Sequence, residues 1–135
     1  MSFLSFGLHE SIMQGIYDSG YENPTEIQRK AIPPALQGRD VIGCAPTGTG
    51  KTAAFVLPVL NRLTQCPDSE KYVHPFALIL TPTRELALQI EDSIKTYRLL
   101  HSSAYCMCLR RSKSGKSGAC VKKRMRHCGS NPRTS

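Results

Sequence analysis

The chain has 135 residues, 18 Lys and Arg against 10 Asp and Glu, 40% hydrophobic positions, 6 Cys and no Trp, which is length for one domain at most. No run of about 18 apolar residues occurs, and residues 1–10 hold no basic stretch followed by an apolar one, so neither a membrane span nor a signal peptide is expected; the chain reads as cytoplasmic, its Cys as reduced thiols or metal ligands. Residues 1–97 carry 8 basic and 10 acidic side chains and residues 98–135 carry 10 basic and none acidic, so the net charge of +8 belongs to the tail and is no footprint of the first part.

Leu8, Ile12, Gly15, Ile16 and Ser19 recur at helical spacing and Gly20 stops the run, which predicts an amphipathic helix over 8–19. After a turn at Glu22-Asn23-Pro24, Thr25 can cap a second helix carrying Ile27, Gln28 and Ala31. Pro33-Pro34 is expected to end it, because proline lacks the amide and restricts its predecessor. Gly38 opens a loop, and Asp40–Cys44 reads as a short buried strand running into Ala45-Pro46-Thr47-Gly48-Thr49-Gly50-Lys51-Thr52. A helix over 52–63 follows, with Phe55, Val56, Val59, Leu60 and Leu63 inward. A polar stretch from Thr64 to His74 leads to a second strand over 76–81, and Pro82-Thr83-Arg84-Glu85 starts a helix reaching about Tyr97. Strand, helix, strand, helix is the pattern of an α/β fold with a parallel sheet flanked by helices.

The segment from strand to helix around Lys51 carries the most specific chemistry. Successive amides from Thr47 to Lys51 at a helix N-terminus would form a positive concavity that hydrogen-bonds a polyphosphate. Gly48 and Gly50 allow close approach, Lys51 supplies a cation for the β and γ phosphates, and Thr52 places a hydroxyl where Mg²⁺ bridges them. The bland alternative is a turn before a core helix with an exposed lysine; the strand-to-helix context argues against it.

Gly20-Tyr21-Glu22-Asn23-Pro24-Thr25-Glu26-Ile27-Gln28 resembles the Q motif of the DEAD-box RNA helicases, with that family's upstream aromatic falling on Phe3. Residues 45–52 are similar to its motif I and 82–86 to its motif Ia, in the same order and spacing, and the connections resemble bacterial members. The resemblance covers residues 3–97 and implies a partial, RecA-like P-loop NTPase domain over 1–97 with ATP and Mg²⁺ as cofactors. It implies that Gln28 reads the N6 and N7 edge of adenine, which suits a carboxamide that donates and accepts at once. Tyr21 would stack on the base and Phe3 pack behind it. Ala45, Pro46, Thr47, Gly48, Thr49, Gly50, Lys51 and Thr52 would hold phosphate and, through Thr52, Mg²⁺; Pro46 removes one amide from the nest. Pro82, Thr83, Arg84 and Glu85 would touch the RNA sugar-phosphate backbone without reading sequence. Taken singly, Gln28 could be a solvated helix residue, Tyr21 a core aromatic and Arg84 a partner for a carboxylate; the conjunction favours the family reading.

The resemblance also implies, after residue 97, a strand ending in Gly-Gly, a T-P-G-R element, the D-E-A-D carboxylates and a second RecA-like domain, none of which the sequence holds. Hydrolysis needs an acidic group for Mg²⁺ and another to orient water, so the expectation is an inactive, incomplete domain of a helicase whose parent activity is ATP-driven unwinding of RNA duplexes. Strands over 40–44 and 76–81 without their sheet partners would also leave backbone groups unpaired, which predicts a poorly folded chain.

Residues 98–135 are Ser-rich and hold Cys106, Cys108, Cys120 and Cys128, without apolar periodicity. They read as a disordered basic tail and as an out-of-frame product: dropping the first nucleotide of degenerate codons for His127–Ser135 permits I-V-V-A-T-P-G-R-L, and the same shift of Met107–Arg111 permits C-V-F-G-G. The frame would change between Tyr97 and Ser103. The alternative is a small ATP- and RNA-binding module with a functional basic tail. A zinc site through Cys106, Cys108, Cys120, His127 and Cys128 matches no finger spacing, and Lys113–Gly118 mimics a phosphate loop without a preceding strand.

Overall fold

A computed structural model of the chain describes residues 2–65, 76–97, 105–111 and 117–123. After a 3-10 turn at Phe3–Phe6 come α1 (Glu10–Asp18), α2 (Glu26–Leu36), α3 (Lys51–Thr64), β1 (Ala77–Thr81), α4 (Arg84–Tyr97), β2 (Tyr105–Arg111) and β3 (Ser117–Lys123). The predicted helices around Ile12, Ile27, Val56 and Ile90 are all present within two residues of their expected starts.

The apolar stripes meet in one core. Ile12, Met13 and Ile16 of α1, Ile32 of α2, Val56, Leu57 and Leu60 of α3 and Ile90, Ile94 and Tyr97 of α4 are buried together, with Phe3 and Leu8. Each such side chain contributes roughly 1.5–3 kcal/mol on burial. The first turn of α1 is tied to α3, because the His9 amide donates to Asn61 Oδ1 at 2.7 Å. At its other end α1 closes in a Schellman motif, with the Gly20 amide on Tyr17 O at 2.9 Å and the Tyr21 amide on Ile16 O at 3.2 Å. Gly20 has φ 74°, the left-handed conformation this cap requires.

Three expectations are corrected. α2 runs through Pro33 and Pro34 to Leu36, because the proline carbonyls still accept, Pro33 O from Gln37 N at 3.2 Å and Pro34 O from Arg39 N at 3.0 Å, and the fully buried Ile32 anchors the turn. Phe55 is 39% exposed, since the core face of α3 is centred on Val56, Leu57 and Leu60 and Phe55 falls on its flank. Residues 40–44 form no strand among the described residues, and Ile42 is 97% exposed.

The described sheet has the order β1-β3-β2 and both pairings are antiparallel, Leu78 lying opposite Cys120 and Cys108 opposite Cys120 on its other edge. Residues 105–111 and 117–123 form its two other strands. An open strand edge presents a row of unpaired N–H and C=O groups, and Ser117–Lys123 satisfies those of β1; in Tyr105–Arg111, Tyr, Met and Leu alternate with Cys and Arg, a period of two that suits a strand. The other tail features, Lys113, His127, Cys128 and the 129–133 segment, and most of the polar stretch 64–74 lie outside the described residues.

Candidate functional site

The loop that precedes α3 is shaped by its glycines. Gly48 and Gly50 have φ 81° and 85°, a region L side chains enter only at a cost. Gly50 is the N-cap of α3, its carbonyl accepting from Ala54 N at 3.1 Å. The loop is closed on its own lysine: Lys51 Nζ donates to the carbonyls of Ala45 and, at 2.6 Å, Pro46. Thr49 Oγ1 also donates to Pro46 O, at 2.8 Å. Pro46, which has no amide to offer, serves through its carbonyl instead. Lys51 and Thr52 are half-buried at the start of α3.

Gln28 is the structural link between this loop and α2. Its side chain is 1% exposed. Oε1 accepts from the Thr25 amide at 2.9 Å, completing a capping box with Thr25, and Nε2 donates to Gly50 O at 3.2 Å. A Cβ on Gly50 would lie 2.4 Å from Gln28 Nε2, so residue 50 must be glycine for space as well as for φ. One lone pair on Oε1 and one N–H on Nε2 are left by these two bonds, the pair of functions a base edge can use. The turn leading into α2 is held by Arg29 Nη1, which donates to Pro24 O at 2.6 Å. Thus the structure brings Thr25, Gln28, Gly50, Lys51, Ala45 and Pro46 into one bonded network.

Phe3 and Tyr21 lie elsewhere in the packing. Phe3 is buried in the core with its ring edge-on to Phe6, centroids 5.9 Å apart. Tyr21 is 45% exposed and its ring meets that of Tyr97 at 6.2 Å and 43°. Burial, and next the neighbouring Tyr21 side chain, push the Tyr97 phenol well above its ordinary 10.0. The sequence held no motif for this pair; its one signal was Gly15 on the apolar face of α1, against which the backbone of Tyr97 rests.

At the start of α4, Thr83 is an N-cap, its Oγ1 accepting from Leu86 N at 3.2 Å and its carbonyl from Ala87 N at 3.3 Å. Thr81 Oγ1 donates to Thr83 O at 2.8 Å and steadies the turn. Pro82, Thr83, Arg84 and Glu85 are exposed. Among the described residues Arg84 has no carboxylate partner, whereas the ion pairs Glu26–Lys30 and Glu91–Lys95 are surface pairs of little energetic weight. Also among the described residues, no three His, Cys, Asp or Glu side chains cluster as a metal site, and no helix is long and apolar enough to cross a membrane. The residues available to a Mg²⁺-bound polyphosphate are thus the loop amides, Lys51 and the Thr52 hydroxyl, a donor set that fits phosphate oxygens and one ligand position of the ion.

Comparison with known proteins agrees with this geometry. A family model described as DEAD/DEAH box helicase matches residues 25–128. The DEAD-box ATP-dependent RNA helicase RhpA of Helicobacter pylori is 54% identical over 93 residues, 69% of this chain and 18% of that protein. The ATP-dependent RNA helicase SrmB of Escherichia coli is 55% identical over 91 residues, 67% of this chain and 20% of that protein. Among solved structures, the RNA helicase Prp28 from Chaetomium thermophilum bound to ADP matches with a TM-score of 0.65 and 48% identity, over 71% of this chain and 23% of that one. The chain therefore spans about a fifth of the length of these relatives.

Proposed function

The chain belongs to the DEAD/DEAH box helicase family, and from that premise we propose that residues 1–97 are the adenine-nucleotide-binding part of an ATP-dependent RNA helicase whose parent activity is ATP-driven separation of RNA duplexes. The observation that supports this most is the network joining Gln28, Gly50 and Lys51. With a nucleotide bound, Lys51 and the amides from Thr47 to Lys51 would hold its phosphate oxygens, Lys51 leaving the carbonyls of Ala45 and Pro46, and the Thr52 hydroxyl would be a ligand for Mg²⁺. Gln28 presents its remaining donor and acceptor to the adenine edge, Tyr21 covers the base face, and Phe3 supports the region from the core. Thr83 and Arg84, exposed at a helix start, suit contact with RNA phosphates.

The sequence contains no D-E-A-D run, so nothing in these residues orients a water for attack. The full chain is expected to bind Mg²⁺-ATP without releasing phosphate above the buffer rate. Steady phosphate release that disappears in Lys51→Ala would overturn this and place the missing carboxylates on this chain.

For residues 98–135 we propose the out-of-frame origin, with the parent's T-P-G-R element and second domain in the shifted frame. Sequencing the gene past codon 97 tests it. A second reading, a small binding module with a functional tail, draws on two observations: the tail pairs with β1, and the family match runs to residue 128. RNA binding by the chain that weakens with salt and vanishes on removal of 98–135 would favour that reading.

A further inference from the structure

Tyr21 stands where α1 ends, and the way it is held is unusual for a half-exposed aromatic. Its backbone is fixed by the Schellman bonds to Ile16 and Tyr17 and by Ser19 Oγ, which donates to Gly15 O at 2.6 Å. Its ring would still be free to change rotamer in water. What limits it is Tyr97, the last residue of α4, 5% exposed and seated on Gly15 so closely that a Cβ there would come within 2.6 Å of the Tyr97 carbonyl. The two rings and Ser19, Gln89, Ser93 and Thr96 line one groove of about 430 Å³. A buried residue is thus packed against a half-exposed one, and the half-exposed one is the residue read above as the base-stacking group.

We propose that Tyr97 is a positioning residue for nucleobase binding: through its ring it holds Tyr21 in the orientation that stacks on adenine. Pre-ordering one aromatic side chain spares the ordering cost at binding, an effect of roughly two- to tenfold in affinity. The inference rests on the adenine-nucleotide reading of residues 1–97 and adds to it a residue outside all three motifs.

The test is titration of the full chain with ADP and, as a probe without a base, inorganic pyrophosphate. Tyr97→Leu removes the ring that Tyr21 meets and keeps a buried apolar side chain; Tyr97→Phe keeps the ring. Tyr97→Leu is expected to weaken ADP roughly two- to tenfold and to leave pyrophosphate binding unchanged, and Tyr97→Phe to leave both unchanged. ADP affinity in Tyr97→Leu equal to that of the unmodified chain, or an equal loss for ADP and pyrophosphate, overturns the positioning role. If the unmodified chain binds ADP no better than pyrophosphate, the nucleotide-site reading itself fails, and the positioning role with it.

Discussion

Substituting alanine for Gly50 is expected to destabilise the chain by about 2–3 kcal/mol and to reduce adenine-nucleotide affinity at least about tenfold. Two costs add at this position. An L residue at φ 85° pays roughly 1–2 kcal/mol for the left-handed conformation. The new Cβ would also stand 2.4 Å from Gln28 Nε2. Gln28 is buried and bonded at both ends of its carboxamide, so moving it breaks the cap on α2, worth about 1 kcal/mol. Gly48 provides the internal control. It has φ 81° but open space around a Cβ, so Gly48→Ala should show the strain alone. Denaturant unfolding and ADP titration of the two variants measure the difference; equal losses would mean that Gln28 yields freely and does not tie the loop to α2.

Gly15→Ala is the second large effect, and there two terms oppose each other. Alanine inside α1 gains about 0.5–1 kcal/mol over glycine in helix propensity. Against it, the added Cβ meets Tyr97 O at 2.6 Å, its carbonyl carbon at 2.8 Å and its Cα at 2.9 Å. These are backbone atoms, which cannot rotate away, and overpacking of this kind costs about 1–3 kcal/mol. A net loss of about 1–2 kcal/mol is expected in thermal or denaturant unfolding. A gain in stability would show that the end of α4 does not rest on α1, and it would remove the seat from which Tyr97 reaches Tyr21.

The helices were legible because each carries its own apolar period and its own stop. Thr25 could be read as a cap from its place before the run, and Gly20 as a terminator, because both act through their immediate neighbours. The strands were less so, since a strand is completed by a partner that its own residues do not name. Asp40–Cys44 has the composition of a buried strand, yet it pairs with nothing among the described residues and leaves Val41 and Ile42 in water. β1 lies within its expected bounds, and its described partner, Ser117–Lys123, runs antiparallel to it. Leu78 and Leu80 of β1 remain 66% and 73% exposed, so this pairing closes an edge without covering a face.

The site was legible in the same uneven way. Lys51, Gly48 and Gly50 follow from the needs of a phosphate nest, and the structure gives the glycines the left-handed conformation that a tight loop requires. Gln28 was read through the base it suits. Its bond to Thr25 is local, three positions away, but its bond to Gly50 could not be read, since it joins residues 22 positions apart in the chain. Tyr97 carried no motif at all. Its position depends on where two helices cross, which is decided by Gly15 and by the packing of the whole core.

The most direct measurement is a calorimetric titration of the full chain with Mg²⁺-ADP and Mg²⁺-GDP, beside the same titrations of Lys51→Ala. A site built from Gln28, Tyr21 and the Lys51 loop is expected to prefer ADP to GDP by at least about tenfold, as a carboxamide matched to the adenine edge leaves unpaired groups against guanine. Loss of Lys51 should then weaken ADP at least about tenfold, because the phosphates lose their charged partner. Equal affinity for the two nucleotides, or ADP binding indifferent to Lys51, would contradict the account.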